Sequence, residues 1–386
     1  MKYNFDEIIN RSGTNSYKWD VYGADVLPMW VADMDFRSPQ PVIDALVERA
    51  RHGVFGYTAP PSALLTEICE RMQRLYQWQV KTEDIIFFPG VVVAFNNVIQ
   101  AFAHRGQGVL MQVPVYHPFL PAPLHAGAIR QEATFNMDTS GRYEVDLESF
   151  RQAITPDTAM FLLCNPHNPL SKAFKRDELE ALAEICLEHN IPICSDEIHC
   201  DLVFPGYEHV PIASLSNEIA QNTVTLMAPS KTFNIAGLEC SFAIIQNAKL
   251  KEKVQAAQRG IMAGVNLMGY QAALAAYQEG QAWLEQLLAY LTGNRDFLMD
   301  FLSSNIPEIR VTPVKATYLA WLDCRKLELP GGAYKFFLEQ GKVAFNDGAT
   351  FGHGGEGFLR LNFGCPRATL QEGLQRMKYA LDHQTS

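Results

Sequence analysis

Val224-Thr225-Leu226-Met227-Ala228-Pro229-Ser230-Lys231-Thr232-Phe233-Asn234 is the stretch whose reading decides the fold. An apolar, β-branched run reads as a buried strand, a proline ends it, and a lysine follows in the turn. A lysine placed where a buried strand runs out is desolvated. Desolvation lowers its pKa and makes the amine a candidate Schiff-base nucleophile.

Moving outward, Asp196 stands 35 residues upstream (231 − 196), in Ile191-Pro192-Ile193-Cys194-Ser195-Asp196. An aspartate at the end of a neighbouring strand is suited to hold a pyridinium proton. The two residues together point to pyridoxal phosphate (PLP), which neither indicates alone.

The same pattern recurs along the chain. Strands are predicted at Ile85 to Phe88, Val109 to Val113, Met160 to Cys164, Ile191 to Cys194 and Val224 to Met227, most of them apolar throughout, as strands covered on both faces should be. Helical patterns such as Arg176 to His189 lie between them, so residues 42–285 read as one α/β domain with a mostly parallel sheet. After these strands come Pro89-Gly90, Pro114-Val115-Tyr116, Asn165 to Pro169, Ser195-Asp196 and Ser230-Lys231. Open α/β sheets bind ligands beyond the carboxyl ends of their strands, so these loops are expected to converge on one site.

Beyond a long helical stretch predicted from Gln271 to Ser303, alternating segments at Thr317 to Asp323, Val343 to Phe345 and Phe358 to Phe363 predict a smaller α+β domain, 286–386, closed by a helix from about Thr369. Residues 1–41 are too few to fold alone and are expected to pack with the small domain.

Composition narrows the function classes. The 386 residues are 48% hydrophobic and 19% charged with a formal net charge of −10, which describes a globular acidic protein and disfavours nucleic acid or anionic membrane as partner. The first residues lack the apolar core of a secretory signal, and no apolar run approaches the ~18 residues of a membrane span, so a cytoplasmic protein is expected. Eight scattered cysteines without a Cys-x-x-Cys pair predict reduced core thiols, with no disulfide framework and no metal site.

Several motifs in order resemble those of PLP-dependent fold-type I enzymes, and within them the MalY/PatB-like carbon–sulfur β-lyases. They are Pro28 to Phe36, Phe55-Gly56-Tyr57, Pro89 to Val92, Pro114 to Phe119, Cys164 to Pro169, Ser195 to His199, Pro229 to Leu238 and Arg360 to Phe363. The resemblance covers nearly the whole chain and implies the aspartate aminotransferase-like fold.

By that resemblance Lys231 carries the cofactor and then acts as base on the substrate Cα, while Asp196 pairs with the pyridine nitrogen. It also implies that Asn168 binds the cofactor's phenolic oxygen, that Tyr116 stacks on the ring and that His199 is a further contact. Gly90, Val91, Val92 and Ser230 would hold the phosphate, joined by Tyr57 from a partner subunit of a homodimer. Arg360, with Val31 and Asn168, would clamp the substrate's α-carboxylate.

Three positions depart from the pattern. Glu239 stands where many fold-type I enzymes have a phosphate-binding arginine, and it is expected to face away from a dianion. Ala228 replaces a frequent serine. Ser171 replaces a frequent glycine, so its loop is expected to follow a slightly different path.

The reaction the resemblance implies is release of thiol, pyruvate and ammonia from L-cystathionine, L-cysteine or related S-conjugates. An aminotransferase is the first alternative. A non-enzymatic PLP-binding regulatory protein on a degenerate lyase scaffold is the second.

Overall fold

The computed structural model describes residues 2–260 and 262–383. Its centre is an eight-stranded sheet in the order Ile85–Phe88, Ser241–Ile244, Thr223–Met227, Ile193–Asp196, Thr158–Cys164, Gly108–Val113, Ile129–Met137 and Tyr143–Val145. The five strands from Thr223–Met227 to Ile129–Met137 run parallel, whereas Ser241–Ile244 and Tyr143–Val145 are antiparallel to their neighbours. All six residues of Gly108–Val113 are buried, as a strand covered by helices on both faces requires.

One face of the sheet packs on helix Val91–Phe102, which buries Val91, Ala94, Phe95, Val98 and Ile99. Full burial of each large apolar side chain contributes about 1.5–3 kcal/mol. The other face receives helix Arg176–Glu188 through Leu179, Leu182, Ala183 and Ile185.

Two predicted elements are corrected. The strand expected at Ile191 to Cys194 runs from Ile193 to Asp196, because Ser195 and Asp196 continue the ladder opposite Leu163 and Cys164 on one side and Thr225 and Leu226 on the other. Asp196 is therefore the last strand residue and not part of the following loop. The helix expected from Gln271 to Ser303 is two helices, Leu267–Glu279 and Gln281–Asn305, meeting at Gly280. A Cβ at Gly280 would lie 2.4 Å from the Ala276 carbonyl oxygen and 2.5 Å from the Phe233 ring.

Further along, a four-stranded antiparallel sheet orders Arg310–Val311, Leu319–Asp323, Phe358–Asn362 and Asn346–Asp347, with helix Arg367–Asp382 after it. The N-terminal segment reaches this region. Leu27–Pro28 pairs in parallel with Val343–Ala344, and Asn362 Nδ2 donates to the carbonyls of Val31 (2.5 Å) and Asp33 (2.7 Å). Asn234, in the same turn as Lys231, accepts from Met34 N–H at 3.0 Å and donates to the carbonyls of Met34 and Phe36, both at 2.8 Å. Segment 31–36 is thereby tied to the C-terminal sheet at one point and to the lysine turn at another.

All eight cysteines are free, seven of them buried and Cys69 half-buried.

Candidate active site

The parallel strands end around one cavity of about 290 Å³. Its walls include Gly90, Val91, Val92, Tyr116, Asn168, Asp196, His199, Ser230 and Lys231, each of them singled out from the sequence. Five loops that are distant in the chain meet there because four of their strands, Thr223–Met227 to Gly108–Val113, are neighbours in the sheet and the fifth, Ile85–Phe88, lies one strand beyond them and points the same way.

The lysine turn closes with Phe233 N–H donating to the Pro229 carbonyl at 2.9 Å and Ile235 N–H to the Ser230 carbonyl at 3.0 Å. It aims Lys231 Nζ at the carbonyl oxygen of Ala32, 2.7 Å away. That oxygen also accepts the hydroxyl of the buried Tyr318 at 2.8 Å. Burial pushes the lysine pKa down to about 8, opposed by Asp33 and Asp196 and reinforced by Arg360. Near neutral pH the amine accordingly holds a useful fraction of its nucleophilic form.

Asp196 is buried, and its carboxylate accepts the N–H of Ile198 at 3.1 Å. Burial lifts its pKa to about 7, with the Ile198 hydrogen bond opposing. A cation placed against it would reverse that cost, so this carboxyl is suited to a protonated ring nitrogen. Tyr116 contributes a ring to the cavity wall, its hydroxyl pushed up to about 12 by burial and so neutral. His199 is held near pKa 3, first by burial and then by Lys231 and Arg360. It is a neutral imidazole whose buried Nδ1 has no protein partner.

Helix Val91–Phe102 begins at the cavity. Its first intrahelical bond is Ala94 N–H to the Gly90 carbonyl at 3.0 Å, so the amides of Val91, Val92 and Val93 precede the helical ladder. Such an end favours an anion. Gly90 reaches it with φ +155°, a conformation that a side chain would strain.

Arg360 is buried beside Asn168 and is not itself part of the cavity wall. Its guanidinium donates to Asn168 Oδ1 (3.0 Å), the Trp30 carbonyl (3.0 Å) and Asn346 Oδ1 (2.6 Å), and it stacks 5.0 Å from the centre of the Phe351 ring. All three acceptors are neutral, and burial draws its pKa down to about 10. Such a cation is prepared for an incoming carboxylate.

Val31, Glu239 and Ser171 take the following places. Val31 is half-buried outside the cavity wall, with its carbonyl engaged by Asn362 and by the Asp33 N–H, and Arg360 has the Trp30 carbonyl as its main-chain partner. Glu239 is exposed and borders the cavity beside Ala236, capping the short helical turn Ala236–Leu238 in a left-handed conformation. Ser171 adopts φ +51°, the region glycine favours, and its hydroxyl donates to the Leu319 carbonyl, which offsets the strain of that conformation.

Tyr57 lies in the extended, exposed stretch 53–60 and does not line the cavity of its own chain. The sequence reading missed the parts played by Ala32, Trp30, Tyr318 and Asn346. Two of these act through main-chain carbonyls, which no side-chain motif reveals.

The family model of aminotransferase class I and II matches residues 24–377. The chain is 43% identical to cystathionine beta-lyase PatB of Bacillus subtilis, over 98% of this chain and all of that protein, and 32% identical to protein MalY of Escherichia coli, over 96% and 97%. Among solved structures, cystalysin from Treponema denticola, which contains pyridoxal 5′-phosphate, superposes with a TM-score of 0.95 at 33% identity, covering 99% of both chains. With these shares of sequence and fold, the chain belongs to the class I and II aminotransferase family, on its branch of PatB- and MalY-like proteins.

Proposed function

We propose that this protein is a PLP-dependent carbon–sulfur β-lyase that releases a thiol, pyruvate and ammonia from L-cystathionine, L-cysteine or a related S-conjugate. The observation that carries the reading is one cavity lined by a low-pKa amine, a buried carboxyl, an aromatic ring and Asn168, whose Oδ1 accepts from the unneutralised guanidinium of Arg360. PatB, its relative at 43% identity, is a cystathionine beta-lyase.

When bound, PLP supplies an electron-accepting ring that stabilises negative charge at the substrate Cα. Lys231 would hold it through its amine and is the base available to take the substrate Cα proton. Asp196 would keep a proton on its pyridine nitrogen. Tyr116 would stack on its ring, and Asn168, whose Oδ1 already accepts from Arg360, would offer its Nδ2 donors to the phenolic oxygen. The amides of Gly90, Val91 and Val92, with Ser230, hold the phosphate. Neutral His199 adds a hydrogen-bonding contact without adding charge. Arg360 holds the α-carboxylate, orienting the substrate so that the thiolate leaves from Cβ.

The fully exposed Tyr57 supports a homodimer in which it reaches the partner's phosphate. Among the described residues no helix is long and apolar enough to cross a membrane, and a cytoplasmic location is proposed with the dimer. The division into an N-terminal segment (1–41), a cofactor domain (42–285) and a small domain (286–386) is part of the same proposal.

Dialysed enzyme supplied with L-cystathionine and no keto acid tests the reaction. Sustained release of thiol and pyruvate is expected. A half-reaction that stalls after one equivalent per subunit would instead identify an aminotransferase.

A further inference from the structure

Arg360 has five N–H donors and no acceptor, so every group that binds it must present an oxygen or another lone pair. The three described acceptors take one N–H of the nitrogen facing Asn168 and both of the nitrogen facing Trp30 and Asn346. Nε remains buried without a partner. The shortest of the three contacts, 2.6 Å, is to Asn346 Oδ1. Asn346 is in place because strand Asn346–Asp347 runs antiparallel to Phe358–Asn362 with Asn346 directly opposite Arg360.

An aspartate would fit this position equally well in shape. It would then form a buried, charge-assisted pair with the guanidinium and neutralise it. The asparagine orients the same donors and leaves the positive charge uncompensated.

We propose that Asn346 is a positioning residue that sets specificity for a free α-carboxylate: its amide oxygen fixes the guanidinium of Arg360 while its neutrality keeps that charge available to the ligand. The inference rests on the reading above only in that the ligand is an α-amino acid; it does not depend on which bond is later broken. It also names a class that the site refuses, amino acids whose carboxyl is blocked as an amide.

The test uses the cofactor-loaded full chain, with L-alanine and L-alaninamide titrated against the visible absorbance of the lysine-bound cofactor. Wild-type protein should prefer L-alanine. In Asn346→Asp, L-alanine should weaken by about 30-fold or more, the scale of a lost hydrogen bond between charged groups, while L-alaninamide changes by less than about threefold, so the preference collapses. Asn346→Ala should weaken L-alanine by about three- to tenfold and retain the preference, because the charge stays free while its orientation is lost.

A purely structural role would weaken both ligands alike in both variants, and that result overturns the proposal. An Asn346→Ala protein that binds L-alanine as the wild type does overturns it too, and this measurement decides the matter if Asn346→Asp fails to fold. Wild type that binds L-alanine but releases no thiol from L-cystathionine refutes the lyase reading and leaves this inference standing. Wild type with no preference for L-alanine refutes the inference.

Discussion

In the N-terminal segment, buried Lys18 donates to Asp35 at 2.7 Å, and Arg11 bridges Asp33 and Asp35 at the same distance, with Trp19 Nε1 adding a bond to Asp35 at 2.9 Å. Around the cavity, by contrast, and among the described residues, Lys231 hydrogen-bonds only to a main-chain carbonyl, Arg360 only to neutral acceptors, and the Asp196 carboxylate only to a backbone N–H. The first region satisfies its charges within the chain. The second leaves them for something else to satisfy, and perturbed groups held in that state are what binding and catalytic sites require. The two regions are joined at Ala32 and Asp33, which are consecutive in sequence.

The comparison predicts opposite outcomes for loss of a lysine. Lys231→Ala should lower thiol release by at least about a thousandfold, because both the nucleophile and the base are lost, while the cofactor-free protein unfolds at no lower temperature than wild type. Steady-state assay and thermal melting of the same preparation check both halves. A melting point well below wild type would place Lys231 with the structural charges instead.

Lys18→Met should do the reverse. Removing one partner of a buried pair leaves Asp35 undercompensated and costs about 3 kcal/mol in denaturant unfolding, while the folded fraction keeps its turnover. Full stability with lost turnover would erase the distinction between the two regions.

A smaller effect separates them by pH. The native pKa of Asp196 is raised to about 7, above the ordinary carboxylate value near 4, so between those values the native state keeps a proton that the unfolded chain has lost. Stability of the cofactor-free protein should therefore fall as pH rises from about 4 to about 7. Asp196→Asn has no proton to lose. Its advantage over wild type should grow across that window and level off above it, at no more than a few kcal/mol. Parallel curves for the two proteins would show that Asp196 is already paired.

Much of this was legible because buried parallel strands are apolar on both faces. The runs at Ile85 and Val109 needed no tertiary information. Ile129–Met137 escaped notice because it carries Arg130, Gln131, Glu132 and Asn136 and is largely exposed over its first half, so it reads as a polar segment until its neighbours are known. The break at Gly280 was equally hidden, since the ring that packs where a side chain would stand, Phe233, comes from a distant turn. Lys231 and Asp196 could be singled out from strand ends alone. Arg360 needed the family resemblance, and its partner Asn346 needed the strand register, which no local pattern encodes.

The resting place of Lys231 is a peptide oxygen, and this bears on how the protein can change over generations. Substituting residue 32 replaces a side chain and leaves its carbonyl where it was. Inherited variation can move that oxygen only indirectly, through the side chains that hold segment 31–36, such as Asn234 and Asn362. Drift at position 32 itself should be limited by space alone, whereas the two asparagines, whose hydrogen bonds go to segment 31–36 rather than to Lys231, carry the constraint.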